Sequence, residues 1–364
     1  MRFRRVFAFV LFTVILLTAC GKSSLPEPSE AYWTNGRMTT RTDGLYTVDY
    51  DGLLTYVDYQ SGISVPVCPR PNCDHSDPET CSARFKTGLG KGAVIPYGEK
   101  IYWFENDIVN ENGKFTESAT LYSAAKYGGD IVQVAKLENR NLHSTMMMIY
   151  DGKLWFIADE QVYNEHGSTN EDTAFLYTYD FEKGKFKELY NFGKEHPDSE
   201  SSDAMILGMW NGKLIVQVYQ YYEYIGDDLK YNEALDLSGF KPEVFDFWVS
   251  GLSDGKIFGD NGENLIVLSD SGERFEVSVL KDIKYRSWMF AGDYFVYPTE
   301  GIAIDYRTGK KYEWLLDVYS YIAGSDGEEY IVAGSVFDEQ EKNRVVGTKY
   351  SRVGRSELIG AEQE

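Results

Sequence analysis

Three cysteines and one histidine lie within a short stretch of the chain, at Cys68, Cys73, His75 and Cys81. Three thiolates and one imidazole are a complete tetrahedral ligand set for Zn²⁺, and four protein ligands leave no coordination position open for a substrate. The segment is rich in proline and follows an apparent strand, residues 63–67, so it has no core of its own. A bound metal would supply folding energy to such a loop, which predicts a structural site rather than a catalytic one.

A disulfide is the second interpretation of the same cluster. The spacing lacks the Cys-x-x-Cys pair of many zinc sites, and the cysteines of exported proteins usually pair. A disulfide among Cys68, Cys73 and Cys81 would leave one odd thiol, which favours a metal. The sequence therefore leaves open a structural metal, a disulfide with one free cysteine, or another role of the thiols.

The fourth cysteine, Cys20, ends an apolar N-terminal segment. Three arginines precede the run from Val6 to Leu17, which has the length of a signal-peptide core and is short for a spanning helix. The run leads into Leu17-Thr18-Ala19-Cys20, which resembles the lipobox of bacterial lipoproteins: an aliphatic residue, two small residues and a cysteine. An ordinary N-terminal membrane anchor with a chance cysteine is the alternative.

The lipobox resemblance implies a processed protein that is anchored by lipid. Residues 1–19 would be removed as a signal peptide, and Cys20 would carry a diacylglycerol thioether and often an acyl chain such as palmitate on its new amine. Residues 20–35 would form a flexible tether. Two or three acyl chains give stable anchoring. We therefore expect an extracytoplasmic protein held at the outer face of the cell membrane, with the choice between inner and outer membrane left open.

The mature chain is strongly acidic. The full sequence has 36 Lys and Arg against 57 Asp and Glu, and loss of three signal arginines leaves 33 against 57, a formal charge of −24. Such a surface argues against nucleic acid as a partner and against charge-driven binding to anionic lipid. No other stretch is apolar enough to span a bilayer, so we expect the remainder to be water-exposed.

Two short units recur along the chain and indicate an all-β fold. The composition agrees, because 28 Tyr, 34 Gly and only 10 Pro suit many strands joined by tight turns. The first unit is a turn followed by an apolar strand, as in Tyr97-Gly98-Glu99-Lys100-Ile101, Tyr150-Asp151-Gly152-Lys153-Leu154 and Trp210-Asn211-Gly212-Lys213-Leu214. The second is an Asp, an aromatic residue, two further residues and a Gly, at 58–62, 180–184 and 305–309.

Alternation of the two units predicts two hairpins per repeat, which make one four-stranded antiparallel sheet. One such sheet cannot bury both faces, whereas radial stacking of several does. We therefore predict a β-propeller domain over residues 36–360 with six to eight mostly four-stranded blades; a two-sheet sandwich or a β-solenoid is the alternative. The blades are expected near 36–67, 90–137, 144–192, 204–280, 285–316 and 318–353, and the fourth stretch is long enough to contain a further partial blade at 264–279.

The repeats lack a recurring Trp-Asp pair, a Gly-Gly pair or an Asp-box, so the pattern looks like that of tricorn and quinoprotein-like propellers. The whole layout resembles propeller-type surface lipoproteins of anaerobic Gram-positive bacteria. The resemblance covers the mature chain, and its most specific residues are the lipobox and the cysteine cluster. In those proteins a similar Cys and His cluster follows the first hairpin. The resemblance implies a surface propeller and brings no assigned reaction.

Other candidate sites are weaker. Gly251-Leu252-Ser253-Asp254-Gly255 matches the spacing of a nucleophile elbow, but turn and strand residues follow and no His occurs after His196, so a hairpin turn is expected. His143, His166 and His196 have no spacing typical of a metal site or a triad. The acidic segments 198–203 and 260–264 lack the oxygen pattern of calcium loops and are expected to be solvated turns.

Three tyrosines, Tyr221, Tyr222 and Tyr224, lie in an insertion at 219–247 and, with a second insertion at 161–172, mark the expected binding face. Aromatic side chains beside acids bind sugar rings or peptides, although a strand with one buried tyrosine face is the simpler explanation of the run. No complete catalytic set is present in the sequence. We expect a non-catalytic propeller that binds a protein, peptide or glycan; the alternatives are a glycosidase or lyase with acids on the propeller face, and a scaffold in an envelope protein complex.

Overall fold

Consecutive strands pair with one another and form small antiparallel sheets along the chain. The computed structural model describes residues 38–40, 44–48, 52–58, 60–77, 79–85, 94–111, 114–142, 147–163, 169–194, 201–222, 227–253, 255–278, 289–317, 320–325, 329–337 and 345–363. The predicted signal peptide, lipidated Cys20 and tether lie outside these residues, as do His143, His166 and His196.

The first 20 strands form five four-stranded antiparallel units, which are called sheets here although the third and fourth are joined into one eight-stranded sheet. Their strands are β1 (Met38–Thr40), β2 (Gly44–Val48), β3 (Leu54–Asp58) and β4 (Ser64–Pro66); β5 (Ile95–Tyr97), β6 (Lys100–Glu111), β7 (Lys114–Ala125) and β8 (Val132–Glu138); β9 (Met147–Tyr150), β10 (Lys153–Tyr163), β11 (Thr169–Asp180) and β12 (Lys185–Asn191); β13 (Ser201–Trp210), β14 (Lys213–Tyr222), β15 (Asp227–Asp236) and β16 (Pro242–Val244); and β17 (Trp248–Ser253), β18 (Lys256–Asp260), β19 (Leu265–Leu268) and β20 (Arg274–Val277). A 3₁₀ turn, Phe192–Lys194, follows β12. The third and fourth sheets touch through a short parallel pairing of β11 with β13.

A strand that follows the seventh sheet in the chain pairs with the sixth sheet. The sixth contains β21 (Met289–Ala291), β22 (Tyr294–Tyr297), β23 (Ile302–Asp305) and β24 (Lys311–Trp314), and the seventh has β25 (Ser320–Ser325), β26 (Glu329–Phe337) and β27 (Val345–Gly354) as its described strands. The short helix α1 (Arg355–Leu358) then leads to β28 (Ile359–Gln363), which pairs with β24 and so returns the chain to the sixth sheet. No helix among the described residues combines the length and the hydropathy needed to cross a bilayer.

Neighbouring sheets pack face to face, because side chains alternate between the two faces of each strand. On β10, for example, Phe156 and Ala158 belong to the apolar cluster shared with the second sheet, whereas Trp155 and Ile157 belong to the cluster shared with the fourth. Every consecutive pair of sheets shares one such cluster.

A last cluster joins the seventh sheet to the first. Leu45 and Val57 of the first sheet pack against Ile331 and Ala333 of the seventh, and all four side chains are buried. Seven sheets that pack in a closed cycle are the blades of a β-propeller. The predicted propeller fold is therefore confirmed, and the residues that the structure describes form seven blades, called blades 1 to 7 in chain order below.

The boundary that the sequence left open falls inside the predicted fourth stretch. Residues 204–280 contain blades 4 and 5, because β16 ends at Val244 and β17 starts a new sheet at Trp248. The hairpin of β17 and β18, with Ser253 opposite Lys256, confirms that the elbow-like motif is a turn. Residues 254–256 are a further copy of the Asp-Gly-Lys turn of the first repeated unit, and this copy marks the first hairpin of blade 5.

Local conformation explains both repeated units. Asp151 and Asn211 have φ of 50° and 47° and are each followed by a glycine with positive φ, as tight hairpins require. In the second unit the carboxylate of the aspartate accepts backbone N–H groups two or three residues on, as at Asp180 and Asp305. These are Asx turns, which reverse the chain between the third and fourth strands of a blade.

The hairpins between second and third strands all emerge on one side of the ring, which we call the upper face. Their lengths are unequal: β6 and β7 have 12 residues each, whereas β22 and β23 have four. The hairpins of blades 2, 3, 4 and 7 are the long ones. The upper face therefore carries the longest hairpins of the described chain.

Candidate metal centre

The loop with the cysteine cluster is tied to blade 1 at both ends. At its start, the Val67 N–H donates to the Leu54 carbonyl at 3.0 Å. At its end, the Leu54 N–H donates to the Ala83 carbonyl at 2.8 Å, and the Phe85 N–H donates to the Gly52 carbonyl at 2.9 Å. Both ends of the loop are therefore hydrogen-bonded to the backbone at the start of β3.

Within the loop, backbone turns bring the four ligand residues together. Asn72 and His75 have φ of 62° and 56°, a left-handed conformation that Asn and His adopt more readily than most residues. The Asp77 carbonyl accepts the Cys81 N–H at 2.8 Å, and the Asp77 carboxylate accepts the Glu79 N–H at 2.9 Å. These hydrogen bonds form a turn that ends at Cys81.

The ligand atoms of Cys68, Cys73, His75 and Cys81 all lie within 4.8 Å of one another. His75 Nδ1 lies 3.3 Å from Cys81 Sγ. Zinc bonds to sulfur and nitrogen give a tetrahedron with edges of about 3.3–3.8 Å, so small movements of these atoms would complete it. The three cysteines are free thiols, and Cys81 is only 2 % exposed. The cluster could hold a metal ion.

The pKa values of the Cys68 and Cys81 thiols are shifted in opposite directions. Burial alone would raise the pKa of the Cys68 thiol, but hydrogen bonds from the Arg70 N–H and from Cys73, Cys81 and Ser82 outweigh it, so its pKa lies below the usual value. Burial raises the pKa of Cys81 to about 11, and its neighbours Cys73 and Cys68 add to the rise. A cation would stabilise the thiolate form of each of them, because metals bind thiolates rather than thiols.

The loop also lies at the junction of blades 1 and 2. Val67 and Phe85 belong to the apolar cluster of that junction, and the Phe85 ring lies 5.2 Å from the ring of Trp103 in β6. The turn between β7 and β8 packs on the loop so closely that a Cβ on Gly128 would lie 2.3 Å from the Val67 carbonyl oxygen. The cluster therefore stands where two blades meet, on a part of the chain that touches both.

A second group of polar residues joins the upper hairpins of blades 2 and 3. The Tyr163 hydroxyl donates to Glu117 Oε1 and lies 2.7 Å from Gln161 Oε1. Asn141 Nδ2 donates to the same Glu117 oxygen at 3.2 Å, and Gln161 Nε2 donates to Asp172 at 3.2 Å. Burial, together with the Glu117 carboxylate, raises the pKa of Tyr163. Sequence analysis missed this group because its members come from two hairpins and the link between them, with no local pattern.

Arg140, in the link between blades 2 and 3, contacts several residues of blade 3 at the same junction. Its side chain donates from Nε to the Tyr177 hydroxyl at 3.1 Å, lies 3.0 Å from the Glu160 carboxylate and packs 4.3 Å from the centre of the Phe175 ring. It is 15 % exposed. The guanidinium therefore connects the link between the two blades to three positions of blade 3.

The predicted aromatic face is only partly described. Tyr221 and Tyr222 end β14 in the upper hairpin of blade 4, where they pair with Asp228 and Asp227, and Tyr224 lies outside the described residues. Their role stays a prediction. The acidic segment 260–264 forms a tight turn in which the Asn261 side-chain oxygen accepts the N–H groups of Glu263 and Asn264.

Comparison with known proteins gives likeness at low levels. No family model matches the chain, and no curated protein matches it. Among solved structures, an endo-arabinase from Bacteroides thetaiotaomicron is 12 % identical, with a TM-score of 0.34 over 72 % of this chain and 100 % of that one. The β-propeller domain of the trilobed protease from Pyrococcus furiosus is 12 % identical, with a TM-score of 0.32 over 74 % and 70 %. A GH32 β-fructofuranosidase of Bombyx mori is 11 % identical, with a TM-score of 0.35 over 92 % and 87 %. Similarity at this level assigns no activity to the chain.

Proposed function

We propose that this chain is an extracytoplasmic lipoprotein whose propeller binds a protein, peptide or glycan partner through its upper face, without catalysing a reaction. The observation that carries the proposal is the inequality of the upper hairpins. Three of the long ones carry exposed aliphatic side chains: Ile108 (56 %), Val109 (47 %), Val162 (48 %) and Val336 (41 %). Apolar groups gathered on one face of a water-exposed protein are typical of an interaction surface.

The experiment that tests binding against catalysis uses the mature chain from residue 21, mixed with glycan and peptide libraries. We expect retention of one ligand class and no turnover. Turnover that is lost on replacing acids of the upper face would overturn the non-catalytic proposal. Retention of specific membrane proteins without small ligands would instead support a scaffold in an envelope complex.

The second candidate is a carbohydrate-active enzyme, and one observation favours it. Acids from two blades approach each other at the upper junction, since Tyr163 and Gln161 connect Glu117 of blade 2 to Asp172 of blade 3. Paired carboxylates from different elements carry out glycoside hydrolysis. Glu117→Gln decides the matter in a hydrolysis assay: an enzyme would lose nearly all turnover, whereas a binding protein would show none to lose.

The anchor part of the proposal rests on the lipobox at Leu17-Thr18-Ala19-Cys20. Acylated Cys20 would hold the protein at the outer face of the cell membrane. Labelling of cells with a palmitate analogue should tag the protein, and mass spectrometry of its N-terminal peptide should give the mass of a lipidated cysteine. A Cys20→Ala variant should lose the label; a labelled variant, or an unprocessed N-terminus, would refute the anchor.

We further propose that Cys68, Cys73, His75 and Cys81 bind one structural zinc ion that stabilises the loop at the junction of blades 1 and 2. The donor set and its convergence within 4.8 Å support this. The test is elemental mass spectrometry with thiol titration on the mature chain purified without reductant. About one zinc per chain, with thiols reactive only after chelation and unfolding, is expected. No metal and a single reactive thiol would mean a disulfide and would refute the zinc site.

A further inference from the structure

Three oxygen-bearing side chains lie at the upper end of the junction between blades 5 and 6. Tyr297 ends β22, Glu300 lies in the turn between β22 and β23, and Asp260 ends β18. Both turns join the second and third strands of their blades, so the three residues lie on the upper face. They belong neither to the cysteine cluster nor to the polar group between blades 2 and 3.

Strand alternation turns Asp260 and Tyr297 toward the same junction. On β22, Phe295 and Tyr297 belong to the apolar cluster that blades 5 and 6 share. On β18, Phe258 packs against that cluster, so its alternate neighbour Asp260 also faces blade 6. Leu265, which pairs with Asp260 across the β18–β19 hairpin, lies in the cluster with Tyr297. The carboxylate and the phenol ring therefore approach the junction from opposite blades.

The polar atoms of Tyr297 and Glu300 are enclosed without being paired. Tyr297 is 0 % exposed. Its hydroxyl and both carboxylate oxygens of Glu300 are buried, and they have no hydrogen-bond partner in the part of the chain that the structure describes. A buried carboxylate that lacks a partner is strongly unfavourable, because it has lost the water that would stabilise its charge. The folded protein therefore needs a further group beside Glu300.

The third residue, Asp260, adds a second negative charge. Its Oδ1 accepts the Gly262 N–H at 3.0 Å, which leaves Oδ2 outside the turn's own hydrogen bonds. No ion pair among the described residues involves Asp260 or Glu300. Burial raises the pKa of Tyr297, and the carboxylates of Asp260 and Glu300 raise it further, which agrees with their position beside the phenol. A cation would neutralise this region.

The donor atoms select the class of cation. Carboxylate and neutral oxygens suit calcium and magnesium, whereas sulfur and imidazole ligands suit transition metals. Magnesium needs near-ideal octahedral geometry, whereas calcium accepts about six to eight oxygens in irregular arrangements. Glu300 can offer two oxygens, and Asp260 and Tyr297 one each, with waters completing the shell. Because the oxygens of Tyr297 and Glu300 are buried, a single ion suits the region better than an organic ammonium group with its carbon chain.

We propose that Asp260, Tyr297 and Glu300 bind one calcium ion at the upper junction of blades 5 and 6. The ion supplies the positive charge beside Glu300 and connects the upper turns of the two blades. Few of its ligands come from the protein, so we expect a dissociation constant on the order of 0.1–1 mM, as in extracellular calcium modules. The segment 260–264 contributes one ligand to this site, although it lacks the pattern of a calcium loop.

The test is thermal unfolding of the mature chain, in about 150 mM NaCl so that exposed charges are screened. Calcium at about 10 mM should raise the thermal midpoint by a few degrees, because an ion that binds only the folded state stabilises it. Magnesium at the same concentration should raise it much less. Glu300→Gln should lose the calcium response, and without calcium it should be at least as stable as the wild type, because it removes the unpaired charge.

Asp260→Asn is the second variant, because an asparagine oxygen can still accept the Gly262 N–H. It should keep the midpoint measured without calcium and weaken calcium binding about tenfold or more, since affinity depends on the charge of the ligands. The matched control is Glu263→Gln, an exposed acid of the same turn, which should respond as the wild type does. The inference is overturned if calcium leaves the wild-type midpoint unchanged, if magnesium acts equally, or if Glu300→Gln or Asp260→Asn responds like the control.

Discussion

Closure of the ring at the junction of blades 7 and 1 predicts a large loss of stability from Ile331→Ala. Ile331 is 2 % exposed and packs with Leu45 and Val57 of blade 1. The substitution removes three carbon groups, worth about 0.8 kcal/mol each on burial, or about 2.4 kcal/mol. The unfilled cavity raises the expected cost to about 3 kcal/mol, within the range of 2–5 kcal/mol found for such truncations.

Urea unfolding of the mature chain, followed by tryptophan fluorescence, measures this loss. The matched control is Val336→Ala, because Val336 lies on the same strand, β26, but is 41 % exposed. A surface substitution of this kind should change the free energy of unfolding by no more than about 0.5 kcal/mol. A double-mutant cycle with Leu45→Ala adds a direct test of contact across the junction, with an expected coupling of about 0.5 kcal/mol or more.

Two results would refute this packing: a cost of Ile331→Ala below about 1 kcal/mol, as expected for the control, or strictly additive effects of Ile331→Ala and Leu45→Ala. Either result would mean that blades 7 and 1 are not packed together. The seven sheets would then form an open arc, with these two side chains exposed at its ends.

Three further substitutions test other parts of the structure. Gly128→Ala should destabilise the protein by more than about 2 kcal/mol, because φ is +90° and the new Cβ would meet the Val67 carbonyl. The control Gly98→Ala, with φ of +57° and open space around it, should cost only about 1–2 kcal/mol. Equal losses of unfolding free energy in urea would contradict the packing of the Gly128 turn on the cysteine loop. Arg140→Ala should lower the free energy of unfolding by about 1–3 kcal/mol. Arg140→Lys should recover only part of that loss, since a lysine cannot reproduce the planar guanidinium contacts, and full recovery would mean that charge alone matters. Burial, with the hydrogen bond to Glu188 adding to it, raises the pKa of Tyr177 to about 12, above the unfolded value near 10, so the stability it contributes is complete below pH 10 and is lost as the pH rises from 10 to 12. Tyr177→Phe should remove that part of the pH dependence, and an unchanged profile of unfolding against pH would show that another group is responsible.

The turn chemistry made much of the fold predictable. Tight hairpin turns need positive φ at both central residues, and Asp151-Gly152 and Asn211-Gly212 adopt it. Such dipeptides therefore predict hairpins from local sequence alone. The spacing of such hairpins then predicted blades, and their number within one or two. The start of blade 5 has a weaker sequence signal. The preceding strand, β16 of blade 4, is only three residues long, and only three residues separate it from β17.

The cysteine cluster was predictable for a similar reason, since its four residues are close in sequence and their side-chain chemistry is distinctive. Contacts between hairpins were not. Tyr163 and Glu117 are 46 positions apart and meet only because blades 2 and 3 pack together. The return of β28 to blade 6 likewise has no local signature, because a short strand after blade 7 could equally pair with β27. Patterns over a few residues specify turns and strands, whereas such partners are specified by the packing of the ring.

The junction between blades 7 and 1 also has a consequence for how the molecule is made. The Tyr350 hydroxyl donates to Thr47 Oγ1 across 303 positions of the chain, so this contact forms only after residue 350 has been synthesised. Contacts of such long range slow folding, because the chain must first lose a large entropy of loop closure. Blades 2 to 5 can assemble from neighbours in sequence while the chain emerges, whereas blade 1 must wait with Leu45 uncovered. The interval between synthesis of blade 1 and of blade 7 is therefore the period of greatest exposure to aggregation and proteolysis.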